Sequence, residues 1–387
     1  MKYFIIAGEA SGDLHGSNLM RELKEKDPSA EFRFLGGDLM ASVGGTPLIH
    51  YSRMAFMGIV PVVMHLRSIL GNMRLCRKAL QEFAPDALIL IDYPSFNLRI
   101  ASFAKKTLRL TVYYYISPKL WAWKEYRIKQ MKEYVDHIFC IFPFETAFYR
   151  KHNYTAATYV GNPTLDALEM RDCRDETFAA FISRNNLTDK PVVALLAGSR
   201  KKEIADNLPV MLSAAASFPG YQFIVAGAPG INPSYYGQYT QGTNLTVLFG
   251  QTYAVLQHAK AALVTSGTAT LETCLLNIPQ VVTYRVKYGR IVLILRKLLI
   301  RIPYFSLVNI IAGKEVVKEF LGMQVTTQSL TGELNSLLHD EQIRKTMLDN
   351  YAAIRQTLGS TGASSKAAGE ITDLLKSSKN IDRAEKA

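Results

Sequence analysis

The stretch Tyr3-Phe4-Ile5-Ile6-Ala7-Gly8-Glu9-Ala10-Ser11-Gly12-Asp13 reads as a short apolar strand running into a glycine turn, with helical spacing over residues 14–26. A strand apolar along its whole length has no face suited to water, so it needs cover on both sides, which parallel sheets obtain from crossover helices. The pattern recurs down the chain. Residues 87–91, 110–116 and 137–142 read as further strands of the first half, and 191–196, 222–226, 261–265 and 280–284 as strands of the second. Each is followed by a turn and then a polar or helical segment, so the class is α/β with two sheets.

At 387 residues the chain has room for two domains, and its 48% hydrophobic and 20% charged residues exclude a disordered, collagenous or coiled-coil protein. Val160-Gly161-Asn162-Pro163-Thr164 closes a strand-like run ahead of a charged segment, which puts the domain boundary at 163/164. The formal net charge of +12 calls for an anionic partner. Residues 41–81 lack any acid and set Arg53, Arg67, Arg74, Arg77 and Lys78 among Met57, Val60, Val63 and Met64; residues 285–301 interleave basic and apolar side chains in the same way. Apolar contact beside positive charge suits a membrane surface, with residues 54–70 or 285–300 as the docking element; core packing of the same apolar residues is the plainer alternative. Neither stretch reaches the ~18–20 uninterrupted apolar residues of a spanning helix, and no signal-peptide pattern opens the sequence, so a cytosolic chain is expected. Cys76, Cys140, Cys173 and Cys274 have no paired spacing, and the seven histidines form no metal-ligand pattern, so no metal is expected.

Four turns at strand ends carry the candidate chemistry. Glu9, Ser11 and Gly12 lie where backbone N–H groups meet a polar sugar or anion, or where Ser11 or Asp13 simply caps the next helix. Asp92 follows Ala87-Leu88-Ile89-Leu90-Ile91 and precedes Pro94, so its carboxylate either accepts a proton from a hydroxyl nucleophile, oriented by Asn97, or caps a turn. Gly198-Ser199-Arg200 offers N–H donors and a guanidinium suited to a diphosphate; a solvated surface Arg is the alternative, and Lys201 or Arg285 could serve similarly. Ser266-Gly267-Thr268 opens a helix at which phosphate can rest, and Glu272, a turn farther on, can receive sugar hydroxyls; an ordinary N-cap is the bland alternative. Trp121 and Trp123 stand beside Lys119, Lys124 and Arg127, where they can stack on a sugar or anchor at lipid; buried packing is the more frequent role for so large a side chain.

These motifs, with Met57-Gly58-Ile59-Val60, Ser117-Pro118, Trp121-Ala122-Trp123 and Asn309-Ile310-Ile311-Ala312-Gly313, resemble the lipid-A-disaccharide synthase family of bacterial glycosyltransferases over nearly the whole chain. The resemblance implies a GT-B type fold, two Rossmann-like domains facing each other across a cleft. Residues 1–163 would bind the acceptor, 164–344 the UDP-sugar, and a helix at about 345–387 would cross back to the first domain. It implies UDP-2,3-diacylglucosamine and 2,3-diacylglucosamine 1-phosphate (lipid X) as substrates, an inverting reaction, no cofactor, and an anionic inner-membrane surface as partner, with a homodimer as an expectation and nucleic acid as none. Asp92 matches the family's general base; Arg200, Glu272 and Asn309 match positions tied to activity or nucleotide. Ala197, Val308 and Asn162 stand where the family pattern has Pro, Pro and His. A UDP-N-acetylglucosamine 2-epimerase is the runner-up enzyme, and a peripheral lipid- or nucleic-acid-binding protein the non-enzyme alternative.

Overall fold

The computed structural model describes residues 1–54, 66–122, 124–240, 245–285 and 303–384. The chain divides into two compact units, Met1–Ala167 with Ser360–Ala387, and Leu168–Gly359. In the first unit the order is β1 (Lys2–Ala7), α1 (Ala10–Lys26), β2 (Glu31–Gly36), α2 (Asp38–Val43), β3 (Thr46–His50), α3 (Leu66–Phe83), β4 (Ala87–Ile91), α4 (Pro94–Leu108), β5 (Thr111–Tyr115), α5 (Ile128–Tyr134), β6 (His137–Cys140), α6 (Pro143–Lys151), β7 (Ala157–Tyr159) and α7 (Pro163–Glu169). The second unit continues with α8 (Phe178–Arg184), β8 (Val192–Leu196), α9 (Lys201–Ala215), β9 (Gln222–Gly227), α10 (Gly237–Thr240), β10 (Thr246–Phe249), α11 (Thr252–Gln257), β11 (Ala259–Thr265), α12 (Thr268–Leu275), β12 (Gln280–Tyr284), α13 (Leu307–Ala312), β13 (Glu319–Leu321), α14 (Thr327–His339) and α15 (Glu341–Leu358). A last helix, α16 (Ala363–Ala384), belongs to the first unit.

The first sheet has the order β3-β2-β1-β4-β5-β6-β7 and the second β10-β9-β8-β11-β12-β13. Every pairing is parallel. Central strands β1, β4 and β8 carry the apolar runs that need cover on both faces, and their residues are buried throughout apart from Lys2 at the entry of β1. One side of the first sheet packs Phe4, Ile6, Leu88 and Leu90 against Cys76 and Leu80 of α3 and Ile100 and Ala101 of α4. The other packs Tyr3, Ile5 and Ile89 against Leu19, Met20 and Leu23 of α1 and Ala367, Ala368, Ile371 and Leu375 of α16. Each large aliphatic chain so buried contributes ~1.5–3 kcal/mol.

The divisions after Ala167 and Gly359 displace the expected boundaries at 163/164 and about 345. The second displacement has a clear cause. Met347, Tyr351, Ile354 and Leu358 of α15 are buried, Gln280 of β12 donates to the Tyr351 hydroxyl at 3.2 Å, and Arg355 donates to the Leu275 carbonyl. These bonds keep α15 in the second unit. The return to the first unit begins instead at α16, whose N-terminus is capped by Asp166: its carboxylate accepts the N–H groups of Gly362 at 2.7 Å, Ala363 at 3.3 Å and Ser364 at 2.9 Å. Gly161, at φ +103°, lets the chain pass Ala363, since a Cβ there would stand 3.2 Å from that residue's own. Farther along α16, Glu370 accepts from Thr158 of β7 at 2.6 Å and Lys379 pairs with Asp86 at 2.7 Å.

Candidate functional site

Each sheet reverses its winding once. In the first unit the reversal lies between β1 and β4, in the second between β8 and β11. Open α/β sheets receive ligands at the carboxyl ends of the strands beside such a point, where the two connections diverge and leave a crevice. The quoted motifs fall there in both units: Gly8 to Asp13 follows β1, Asp92 follows β4, Gly198-Ser199-Arg200 follows β8 and Ser266-Gly267-Thr268 follows β11. With Ala7 opposite Ile91 and Val264 opposite Leu196, each pair of motifs leaves its sheet side by side.

At the first switch point the backbone itself is unusual. Asp92 and Tyr93 both take left-handed conformations, φ +42° and +46°, without being glycine or asparagine. Such residues persist where their surroundings hold them. Here the Asp92 carbonyl accepts the Tyr114 hydroxyl at 2.5 Å and the Asn97 side-chain amide at 2.7 Å, while its N–H donates to the Ile116 carbonyl at 3.2 Å. Asn97 also donates to the Ile91 carbonyl at 3.3 Å, so this amide orients the backbone that presents Asp92. The Tyr93 hydroxyl donates to the Met54 carbonyl at 2.6 Å. Burial, and after it the Glu9 carboxylate, push that hydroxyl up to about 12.

The space beside Gly8 is filled by the chain itself. A Cβ on Gly8 would lie 2.3 Å from Cγ of Tyr93, so the glycine makes room for that ring. The helix expected from residue 14 starts at Ala10, directly after the extended Glu9, and this puts exposed Ser11 and buried Gly12 in its first turn. The side chain of the N-cap residue, Glu9, makes no capping bond to α1. Asp13 points elsewhere: its carboxylate accepts the N–H groups of Gly37 at 2.7 Å, Leu39 at 3.1 Å and Met40 at 3.1 Å, capping α2. The N–H groups of the first turn of α1 therefore receive no cap from Ser11 or Asp13.

In the second unit Gly198, at φ +118°, brings the loop against Glu203. Glu203 accepts the Ser199 N–H at 2.9 Å and pairs with the Arg200 guanidinium at 2.9 Å. The Arg200 side chain is thus aimed by a carboxylate one turn away, an arrangement the sequence reading did not anticipate. The Ser266 hydroxyl donates to the Phe305 carbonyl at 3.1 Å. Gly267, an extended residue, precedes α12, and Thr268 takes the first position of the helix. Glu272 is half-buried and accepts the Tyr253 hydroxyl at 2.9 Å; burial holds its carboxyl above the usual range.

Asn309 is fully buried and its amide is saturated: it donates to the Val317 carbonyl and to Glu319, both at 2.9 Å, and accepts from the N–H groups of Val316 and Val317. These bonds give it a structural role in the loop that follows α13. Glu319 also accepts the N–H groups of Phe305 at 2.9 Å and Ser306 at 2.8 Å, so the pair fixes the start of α13. Asn162, at the position of the family's His, accepts the Thr164 N–H at 3.0 Å and donates to the Ile141 carbonyl at 3.1 Å, acting as a cap for α7. Arg67 is exposed on α3; Met57, Val60, Val63, Met64, Trp123 and residues 286–302 lie outside the described residues. Among the described residues no group of His, Cys, Asp and Glu could hold a metal ion, and no helix is long and apolar enough to cross a membrane.

A family profile described as lipid-A-disaccharide synthetase matches residues 3–370. The chain belongs to the lipid-A-disaccharide synthase family. It is 34% identical to the lipid-A-disaccharide synthase of Trichlorobacter lovleyi, covering 97% of this chain and 98% of that one. It is 36% identical to that of Syntrophus aciditrophicus, with 97% and 98% covered. Membership makes the protein a glycosyltransferase of lipid A disaccharide synthesis. Among solved structures, the UDP-GlcNAc 2-epimerase of Neisseria meningitidis bound to UDP-GlcNAc superposes with a TM-score of 0.67 at 14% identity, covering 96% of this chain and 100% of that one. The calicheamicin glycosyltransferase CalG4 gives 0.59 at 13%, with 97% and 98% covered. At such identities the likeness speaks for the fold, two parallel-sheet α/β domains of the GT-B kind, and the family membership sets the epimerase alternative aside.

Proposed function

We propose that the protein transfers the sugar of UDP-2,3-diacylglucosamine to the 6-hydroxyl of 2,3-diacylglucosamine 1-phosphate, forming the β-1,6-linked disaccharide 1-phosphate and UDP with inversion. The first unit takes the acceptor and the second the nucleotide. As the hydroxyl oxygen bonds to the anomeric carbon and the bond to UDP breaks, the Asp92 carboxylate accepts the hydroxyl proton. Arg200 and the N–H groups that open α12 face the charge growing on the departing diphosphate. Glu9 and Ser11 border the acceptor, and Glu272 borders the donor sugar or ribose.

One observation carries this reading: Asp92 stands at the switch point in a left-handed conformation, with two side chains, Tyr114 and Asn97, spent on its carbonyl. So much support for one backbone position suits a carboxylate that must be aimed. Asp92→Asn removes the proton acceptor and keeps the shape. It should fold as the parent does and form disaccharide at least about a hundredfold more slowly, as followed by mass spectrometry of the lipid products. A near-parental rate removes Asp92 from the base role.

The acceptor and donor carry acyl chains, so the enzyme works at the anionic inner leaflet as a peripheral cytoplasmic protein. Supporting this, Arg67, Leu70, Arg74, Leu75 and Lys78 of α3 share one broad helical face and are all exposed, Leu70 at 41% and Leu75 at 45%.

A further inference from the structure

Glu145 is 0% exposed, a carboxylate buried among apolar side chains that neither the family motifs nor the reaction above employs. It sits in the first turn of α6, behind Pro143, just beyond the carboxyl end of β6. One oxygen accepts the N–H groups of Ile141 and Phe142, each at 3.0 Å; the other accepts the indole N–H of Trp121 at 3.1 Å. The indole stands edge-on to Phe144, with ring centroids 5.0 Å apart. One turn farther along α6, the buried Tyr149 hydroxyl shares a hydrogen bond with Ser117. Ser117 and Trp121 bracket the loop after β5, and Ile116, directly before it, accepts the Asp92 N–H. The inner face of one helix thus grips a loop at both ends while the loop's root is bonded to the backbone of Asp92.

We infer that Glu145, through Trp121, and Tyr149, through Ser117, position the 117–121 loop to receive the acceptor sugar, making Glu145 a positioning residue for the transfer. The inference rests on the transferase reading above. Its chemistry is an acceptor count: all three groups around the carboxylate are N–H donors, so both oxygens must accept. An ionised carboxylate satisfies them. A protonated carboxyl, or the amide of glutamine, turns a donor toward either Trp121 or the backbone. Burial holds the Glu145 carboxyl up to about 7, against the bonds from Trp121, Phe142 and Ile141 and the charge of Lys119. Cys140 of β6, Tyr149 of α6 and Tyr159 of β7 also face it; burial raises each of these above its ordinary value, so across neutral pH Glu145 is the group of this cluster that changes charge.

The test uses the full chain in a Trp123→Phe background, where Trp121 is the sole tryptophan. Glu145→Gln should red-shift Trp121 emission and increase its quenching by acrylamide. With diacylglucosamine 1-phosphate varied at saturating UDP-diacylglucosamine, the variant should raise the acceptor KM about tenfold, the factor for one charge-assisted bond, and leave the donor KM unchanged. In the parent, acceptor kcat/KM should fall as pH drops below about 7. Trp121→Phe removes the indole donor, so adding Glu145→Gln to it should leave the acceptor KM no higher than Trp121→Phe alone. Unchanged emission overturns the inference, as does shifted emission with an unchanged acceptor KM, which would mark a merely structural bond. If far-UV circular dichroism shows Glu145→Gln unfolded, Tyr149→Phe, which frees the Ser117 end, decides by the same kinetics. An unmodified protein that makes no disaccharide would refute the reaction; Trp121 emission titrated with micellar diacylglucosamine 1-phosphate, parent against variant, then decides the role of Glu145.

Discussion

Replacing Glu145 with glutamine should make the first unit's stability less dependent on pH, in a direction opposite to that of carboxylates whose pKa an ion pair lowers in the folded state. The carboxyl is raised from 4.5 to about 7 in the folded chain, chiefly by burial. The folded state therefore holds this proton more tightly than the unfolded one. The stability it contributes is complete below pH 4.5 and is lost as pH rises through about 7. The shift of about 2.5 units at 1.36 kcal/mol each corresponds to about 3 kcal/mol. Both tryptophans belong to the first unit's sequence, so their emission in a urea titration follows that unit. With a urea slope of about 2 kcal/mol per molar for a unit of this size, the midpoint of the parent relative to Glu145→Gln should fall by about 1.5 M between pH 4.5 and pH 8. Other groups titrate in both proteins and cancel in the difference. Midpoints that run parallel across this range would refute the assignment of a charged, buried Glu145 at working pH.

Three further outcomes follow from the geometry. Gly8→Ala forces a methyl against the Tyr93 ring, 2.3 Å from Cγ, and should cost ~1–3 kcal/mol by urea titration while slowing turnover, because Tyr93 neighbours Asp92; an unaffected enzyme would show that the ring moves freely. Asp166→Asn keeps one acceptor oxygen where the parent has two for three N–H groups, and should lower first-unit stability by ~1–2 kcal/mol with the second unit's transition unchanged. Reversing Arg67, Arg74 and Lys78 to Glu should weaken co-sedimentation with anionic vesicles at least about a hundredfold at low salt, since each basic residue near such a surface contributes ~1 kcal/mol; equal binding would rule out this face of α3 as the membrane contact.

The central strands were legible because burial on both faces leaves unbroken apolar runs, as in Ala87-Leu88-Ile89-Leu90-Ile91, and because each run ends at a turn. The edges were not. β3 contains Pro47 and is largely open to solvent, and β7 and β13 are three residues each, too short for alternation to register. The positions of Asp92, Arg200 and Ser266 at strand ends could be read directly. Their settings could not, since these depend on partners distant in sequence: Asp13 caps a helix that starts at residue 38, and Ser266 answers to the carbonyl of Phe305. Asn309 entered through the family resemblance alone, and nothing in its local sequence shows that its amide is bonded by the loop that follows it. The left-handed backbone at Asp92 and Tyr93 has no glycine or asparagine to announce it. For Glu145 half the signal was present, since Pro-Phe-Glu after a strand marks a helix start; its bond to Trp121 was not visible.

The ribosome delivers the second unit, Leu168–Gly359, before the segment that finishes the first. At roughly 5–20 residues per second, that insertion occupies roughly 10–40 s. Throughout the interval Leu19, Met20 and Leu23 lack the alanine-rich strip of α16 that seals them. The nascent protein therefore matures out of order: the later lobe can consolidate while the earlier one waits with a bare greasy seam, available to chaperones. Truncating the final helix should be felt first as aggregation during synthesis, ahead of any loss of order in the second lobe.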